Sequence, residues 1–84
     1  MNVNAKFKRV VNDWYVEPAF CVDALMDSVS FDGDIHDPCC GQGNIPKITG
    51  GTGSDLVDRS EGRYPVVDFL KDKTKRENII TNPP

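Results

Sequence analysis

The sequence predicts an α/β fold in which short parallel strands alternate with helices. Two observations favour this class. Strand-like and helix-like apolar patterns alternate along the chain, as expected of parallel strands joined by crossover connections. A glycine-bearing loop, "PCCGQG", directly follows the first strand-like run, and ligands of open α/β folds bind at that end of the sheet. The 84 residues suffice for a single small domain.

The predicted elements follow in order from the amino terminus. Residues 1–13 are basic and weakly patterned, and we interpret them as an N-terminal arm. Pro18 suits the first turn of a helix predicted over residues 18–28, whose apolar side chains recur at roughly helical spacing. The remaining predictions are strands over 34–37, 53–57, 66–69 and 78–82, a short helix with Asn44 as its cap and Pro46 in its first turn, and a charged segment with helical tendency at 70–77.

Composition narrows the class of protein. The net charge of −3 and the pI of about 4.9 are a poor match to a free-standing nucleic-acid binder, which usually has a basic face. No apolar run approaches the roughly 20 residues of a membrane span, and the start of the chain lacks the apolar stretch of a signal peptide. We therefore predict a cytoplasmic protein that does not enter a membrane.

The glycine loop has the character of a ligand site. Gly41 and Gly43 allow backbone to approach a ligand closely. The third glycine of a dinucleotide fingerprint would fall at Pro46, so a cofactor that contains pyrophosphate is disfavoured and one without phosphates fits better. The alternative is that this Gly-x-Gly is a plain structural turn.

Two acidic positions are candidates for holding a nucleoside. Asp55 lies 18 residues after Asp37, close to the ~20-residue offset at which a carboxylate binds ribose hydroxyls in nucleotide-binding α/β folds. Asp58 competes for this role, and a solvated turn is the alternative for either. Asp68 and Phe69 can hold an adenine ring by a hydrogen bond and by packing, although a turn aspartate beside a core phenylalanine is favoured on these residues alone.

The segment "NIITNPP" ends in a stiff, extended turn. Each proline restricts its own φ and biases the preceding residue toward extended geometry. The Asn82 amide oxygen and the Pro83 carbonyl can together accept hydrogen bonds from one amino group. The alternative interpretation is a turn without a chemical role.

The cysteines and the single histidine do not indicate a metal or redox site. A zinc site needs spaced thiolates or a further ligand cluster, whereas Cys39 and Cys40 are adjacent and Cys21 is distant. An odd number of cysteines also argues against a disulfide scaffold. We interpret Cys39 and Cys40 as small packing residues beside the loop, and His36 as structural.

Taken together and in this order, the motifs resemble those of the S-adenosylmethionine-dependent N6-adenine DNA methyltransferases. "DPCCGQGNI" resembles their cofactor loop, "GSDL" the strand that ends in the ribose acid, "VVDFL" the adenine-contact motif, and "NPP" the catalytic Asn-Pro-Pro-aromatic motif. "WYVEPAFCVDALMD" is similar to the segment that precedes the cofactor loop. The resemblance covers nearly all of residues 14–84.

The resemblance implies a partial Rossmann-like methyltransferase fold of about four strands in the order 3-2-1-4, truncated after the fourth. It implies S-adenosyl-L-methionine as cofactor, DNA as partner, and neither a metal nor a covalent intermediate. The implied catalytic residues are Asn82, Pro83 and Pro84. The implied cofactor-binding residues are Tyr15 and Pro18 over the methionine end, Asp37, Cys39, Gly41 and Gly43 along the methionine, Asp55 at the ribose, and Asp68 and Phe69 at the adenine.

The departures from the family pattern shape the expected activity. The aromatic residue that follows Asn-Pro-Pro in the family is absent, as is the rest of the catalytic sheet. We therefore expect residues 1–84 to be one incomplete domain from a bacterial or phage-infected host, inactive alone, with DNA binding dependent on the missing half or on a completing chain. The alternatives are a methyltransferase acting on RNA or on protein glutamine, whose loop usually reads Asp-x-Gly-x-Gly-x-Gly, and a non-catalytic remnant.

Overall fold

The computed structural model describes residues 16–84. Tyr15 and the predicted arm over residues 1–13 lie outside the described residues. The described elements are helix α1 (Ala19–Ser28), strand β1 (Ile35–Asp37), helix α2 (Asn44–Thr49), strand β2 (Thr52–Gly53) and strand β3 (Asn78–Ile79).

The three strands form one parallel sheet in the order β2-β1-β3. His36 of β1 is paired with Thr52 on one side and with Ile79 on the other. The predicted α/β class and the parallel pairing are confirmed. Because all three strands run in one direction, the segments that follow β1, β2 and β3 emerge at the same edge of the sheet.

The prediction of four strands was wrong for the described residues, which form three. Residues 66–69 contribute only an isolated parallel bridge between Asp55 and Val66. The bridge joins Val66 to the chain that follows β2. The predicted order also placed the third strand next to the second. The pairing stops there because Asp68 turns the chain: its carboxylate accepts a hydrogen bond from the Leu70 amide at 3.0 Å.

The segment 70–77, predicted to have helical tendency, forms a turn followed by irregular chain. The amides of Lys71 and Asp72 donate to the Asp68 carbonyl, but the turn does not continue. The Asp72 carboxylate accepts from the Thr74 amide at 2.9 Å. Such local side-chain bonds compete with helical backbone bonds, and this charged segment offers no apolar face whose burial favours a helix.

The two helices have well-defined ends. Helix α1 confirms the prediction over 18–28, although Pro18 is its N-cap and Ala19 its first residue. In α2 the cap is Gly43, with φ +95°, rather than Asn44, which is the first helical residue. Pro46 lies in the first turn as predicted. The helix ends at Thr49 and is capped by Gly50, whose φ of +74° suits glycine.

A small apolar core lies between the helices and one face of the sheet. Helix α2 contacts β1 and β2, and α1 packs on α2. The buried core residues are Val22, Ile35, Ile45 and Ile80, with Met26, Phe31 and Ile48 packed against them. Neither helix within residues 16–84 is long and apolar enough to cross a membrane.

The opposite face of β1 carries His36, because successive strand residues point to opposite sides of a sheet. Its Nδ1 lies 2.8 Å from the Thr52 hydroxyl and its Nε2 lies 3.1 Å from the Ser54 hydroxyl. The ring is buried, so His36 links β1 to the chain of β2, in agreement with a structural role.

Candidate functional site

A cleft opens at the carboxyl edge of the sheet, with about 530 Å³ of empty space that includes part of the open solvent. Its walls come from the segments that follow β1, β2 and β3, and from the chain before α1. The lining residues are Val16, Glu17, Cys39, Cys40, Gly41, Gln42, Asn44, Asp55, Leu56, Val57, Arg59, Asn82 and Pro84.

Asp55 holds the two main walls of this cleft together. Its Oδ2 accepts a hydrogen bond from the Gly41 amide at 2.8 Å, and its Oδ1 accepts one from the Leu56 amide at 2.7 Å. A carboxylate has about four acceptor positions, so each oxygen retains capacity for a second donor. Asp55 is half-buried and lines the cleft.

The glycine loop is held in place by backbone bonds to the chain after β2. The Ser54 amide donates to the Asp37 carbonyl, and the Cys40 amide donates to the Ser54 carbonyl, both at 2.9 Å. Gly41 has a φ of +55°, a conformation that glycine adopts without steric cost. The loop therefore presents the backbone of residues 39–42 to the cleft in one defined conformation.

Asp37 lies beneath the loop and does not line the cleft. It is 1% exposed, and its Oδ1 accepts from the Cys39 amide at 2.9 Å and from the Thr81 hydroxyl at 2.7 Å. Burial raises the pKa of Asp37, and these two hydrogen bonds oppose that rise. The resemblance implied that Asp37 lies along the methionine; the structure places its carboxylate as a support for the loop.

Cys39 and Cys40 both contribute to the cleft wall. Burial raises the pKa of the Cys39 thiol and raises that of Cys40 to about 12, so both remain protonated at neutral pH. Protonated thiols are poor nucleophiles and poor metal ligands. Within residues 16–84, no group of three or more His, Cys, Asp or Glu side chains is arranged to hold a metal ion.

The carboxyl-terminal segment forms the far wall. Asn82 and Pro84 line the cleft, whereas Pro83 does not. Asn82 is exposed, so its amide is accessible from the cleft. The structure therefore brings the glycine loop, the acid after β2 and the asparagine after β3 to one site, as their positions at strand ends predict.

Five of the predicted cofactor residues are not part of this lining. Pro18 is exposed at the start of α1, and Gly43 is packed under the ring of Tyr64. The Asp68 carboxylate accepts from the Leu70 amide in its own turn, and Phe69 beside it is exposed. Asp37 is the fifth, for the reason given above, and Tyr15 lies outside the described residues.

Several lining residues were not singled out from the sequence. Leu56 and Val57 follow the acid of the second strand directly, so they share its wall, and Arg59 continues that wall. Glu17, which precedes the helix predicted from Pro18, also lines the cleft. The sequence shows only that these residues lie close to a motif. Closeness in sequence does not indicate whether a side chain projects into the cleft or away from it.

Asp58, the competing candidate for the ribose acid, organises its own turn. Its Oδ1 accepts from the amide and the hydroxyl of Ser60, and its Oδ2 accepts from the Gly62 amide. These hydrogen bonds lower the pKa of Asp58. Asp58 does not line the cleft, so the geometry favours Asp55.

The fold and the cleft define a small parallel α/β protein with a cleft at the carboxyl edge of its sheet. Comparison of the chain with protein-family models, with curated proteins and with solved structures found no match. The interpretation of the cleft therefore depends on its own residues and contacts.

Proposed function

We propose that this chain is the cofactor-binding part of a partial Rossmann-like fold, that its cleft binds S-adenosyl-L-methionine, and that it serves methyl transfer to the N6 amine of adenine in DNA. One observation carries the proposal: Gly41, Asp55 and Asn82, taken from three separate motifs, line a single cleft.

Asp55 supports the recognition of a ribose. A vicinal diol presents two hydroxyl donors close together, and a carboxylate with free acceptor positions can accept from both. The Gly41 and Leu56 amides hold the two oxygens of Asp55 in a fixed orientation, which reduces the entropy lost when the diol binds. Beside Asp55, Leu56 and Val57 supply apolar surface for the flat face of a purine.

The charge of the cleft supports a cationic ligand. S-adenosylmethionine has a positive sulfonium and a positive ammonium group, and the cleft lining has two acidic side chains, Glu17 and Asp55, against one basic side chain, Arg59. The loop at Cys39 and Gly41 lines the cleft without bulky side chains. When bound, the cofactor supplies an electrophilic methyl group.

Asn82 supports the recognition of an amine. Its side-chain oxygen is an acceptor, and Asn82 lines the same cleft as the loop and Asp55. An adenine in duplex DNA reaches such a position only after it has been flipped out of the stack. Asn82 would then hold the amine in place by accepting one of its protons in a hydrogen bond.

Titration calorimetry with the 84-residue chain tests cofactor binding. We expect saturable heat and a rise in melting temperature with S-adenosylmethionine, since a ligand that binds only the folded state stabilises it. ATP is the control, because it shares the adenosine but carries phosphates. An absence of both heat and thermal shift with S-adenosylmethionine contradicts the proposal, as does equal binding of ATP.

A methyl-transfer assay with labelled cofactor addresses the substrate. We expect the isolated chain to bind the cofactor without sustained turnover. Adenine-containing duplex DNA, RNA and glutamine-containing protein are compared under the same conditions. If label is transferred to RNA or protein in a sustained way and Asn82→Ala abolishes this transfer, RNA or protein is the substrate in place of DNA.

A further inference from the structure

Thr81 stands at a junction between the core and the cleft. The preceding residue, Ile80, is buried in the core, and its amide donates to the His36 carbonyl at 3.2 Å. The following residue, Asn82, is exposed in the cleft wall. Within residues 16–84, the Ile80 bond is the last backbone hydrogen bond that ties the end of β3 to β1. The orientation of Asn82 therefore depends on what holds Thr81.

The Thr81 hydroxyl is held by the support of the glycine loop. It donates to Asp37 Oδ1 at 2.7 Å, the same oxygen that accepts from the Cys39 amide at 2.9 Å. Asp37 is 1% exposed, so water does not compete for these bonds. One buried carboxylate oxygen thus joins the loop after β1 to the chain after β3.

We propose that Thr81 is a positioning residue, which sets the distance and orientation of Asn82 relative to the loop through its hydrogen bond to Asp37. Asp55 performs the corresponding connection on the other side, from β2 to Gly41. Both walls are thus connected to the same glycine loop by hydrogen bonds. The positioning stands on these contacts alone, whereas its value for methyl transfer rests on the proposed function.

A purely structural Thr81 would fill space between the strands, and its loss would lower stability without moving Asn82 in particular. Nuclear magnetic resonance of the ¹⁵N-labelled chain, without any cofactor, separates the two. Thr81→Val keeps the shape and removes the hydroxyl, and Thr81→Ser keeps the hydroxyl. Thr49→Val is the matched control, because it removes a half-buried hydroxyl that donates to the Ile45 carbonyl within α2.

We expect Thr81→Val to shift the side-chain amide signals of Asn82 and to speed hydrogen exchange of the Cys39 amide roughly tenfold. Thr81→Ser should restore both toward the unmodified chain, and Thr49→Val should leave both unchanged. The inference is overturned if the Asn82 signals of Thr81→Val coincide with those of the unmodified chain, or if Thr49→Val moves them as much.

A second measurement needs no substitution at Thr81, in case Thr81→Val does not fold. The carboxyl carbon of Asp37 is titrated by pH together with the Asn82 side-chain amide, and the two should move with one midpoint. The charges of Glu17 and Asp55 act on Asp37, so Glu17→Gln serves as the control. An Asn82 signal that does not follow Asp37 overturns the inference, and a chain that binds no cofactor contradicts only the proposed function.

Discussion

The Oδ2 atom of Asp55 lies 2.8 Å from the Gly41 amide that donates to it. This one bond joins the loops that follow β1 and β2, two segments that are adjacent only because their strands are parallel neighbours. It also fixes the acid that we assign to a ribose against the loop that we assign to the methionine. The cleft is therefore organised before any ligand binds.

Asp55→Asn should weaken binding of S-adenosylmethionine roughly 10- to 100-fold. Hydrogen bonds to a charged group contribute about 1.5–3 kcal/mol, and the amide group has only one acceptor oxygen. Titration calorimetry measures the change. Asp23→Asn, an exposed acid on α1 away from the cleft, is the control and should bind as the unmodified chain does. Equal affinity of the two variants for S-adenosylmethionine would contradict the assignment of Asp55 to the ribose.

Gly43→Ala should destabilise the chain by more than Gly62→Ala. Both glycines have positive φ, +95° and +79°, and a side chain there costs about 1–2 kcal/mol. At Gly43 an added Cβ would also overlap the Tyr64 ring, whereas at Gly62 the space is open. Urea unfolding at constant pH gives the two free energies of unfolding. The difference should shrink when Tyr64→Ala is combined with Gly43→Ala; equal losses at both glycines would rule out the predicted overlap.

His36 should make the fold less stable in mild acid. Burial is the main cause that lowers the pKa of His36, followed by the charge of Arg76, while Asp72 opposes them. Because the unfolded chain binds the proton more readily, the stability contributed by neutral His36 is present above its ordinary pKa of about 6.5. It is lost as the pH falls from there through the lowered folded value.

Urea unfolding between pH 5 and 8 measures this dependence, with His36→Gln as the comparison. The Gln variant should lose much of the slope in this window, even if it is less stable overall. Burial raises the pKa of Asp37, so its contribution to stability falls as the pH rises through its folded value, with a sign opposite to that of His36. An unchanged slope in His36→Gln would contradict the assignment.

The three cysteines should react with iodoacetamide at pH 8 in the order Cys21, Cys39, Cys40. Cys21 is exposed, Cys39 is half-buried and Cys40 is buried, and the pKa of Cys40 is raised to about 12, which leaves almost no thiolate to react. Peptide mass spectrometry of the chain and of Cys39→Ser and Cys40→Ser identifies the labelled positions. In urea the order should disappear, and rapid labelling of Cys40 in the folded chain would contradict its burial.

Labelling also reports on the cleft. Because Cys39 lines it, S-adenosylmethionine should slow the reaction of Cys39 and leave that of Cys21 unchanged. Cys21 is thus the internal control within the same sample. Protection of both cysteines to the same extent would indicate general stabilisation instead of a ligand beside Cys39.

Much of the fold and part of the cleft could be predicted. Helix α1, the first strand and the short second helix follow from local patterns, since spacing, proline and glycine act within a few residues. Cys39, Gly41, Asp55, Asn82 and Pro84 could be expected in one cleft because each follows a parallel strand. The third of the predicted strands was wrong because Asp68 turns the chain through a hydrogen bond from the Leu70 amide, a local feature that the apolar pattern of residues 66–69 outweighed in the prediction.

By itself, the sequence determined the alternation of elements and the positions of the glycines, prolines and acids at strand ends. Those features depend on φ preferences and apolar spacing, which are properties of neighbouring residues. Only the tertiary structure decided that Asp37 supports the loop from below, that Glu17 faces the cleft, and that Thr81 reaches Asp37 across 44 residues. These outcomes depend on the direction in which each side chain projects once the strands are paired, and pairing joins parts of the chain that no local pattern connects.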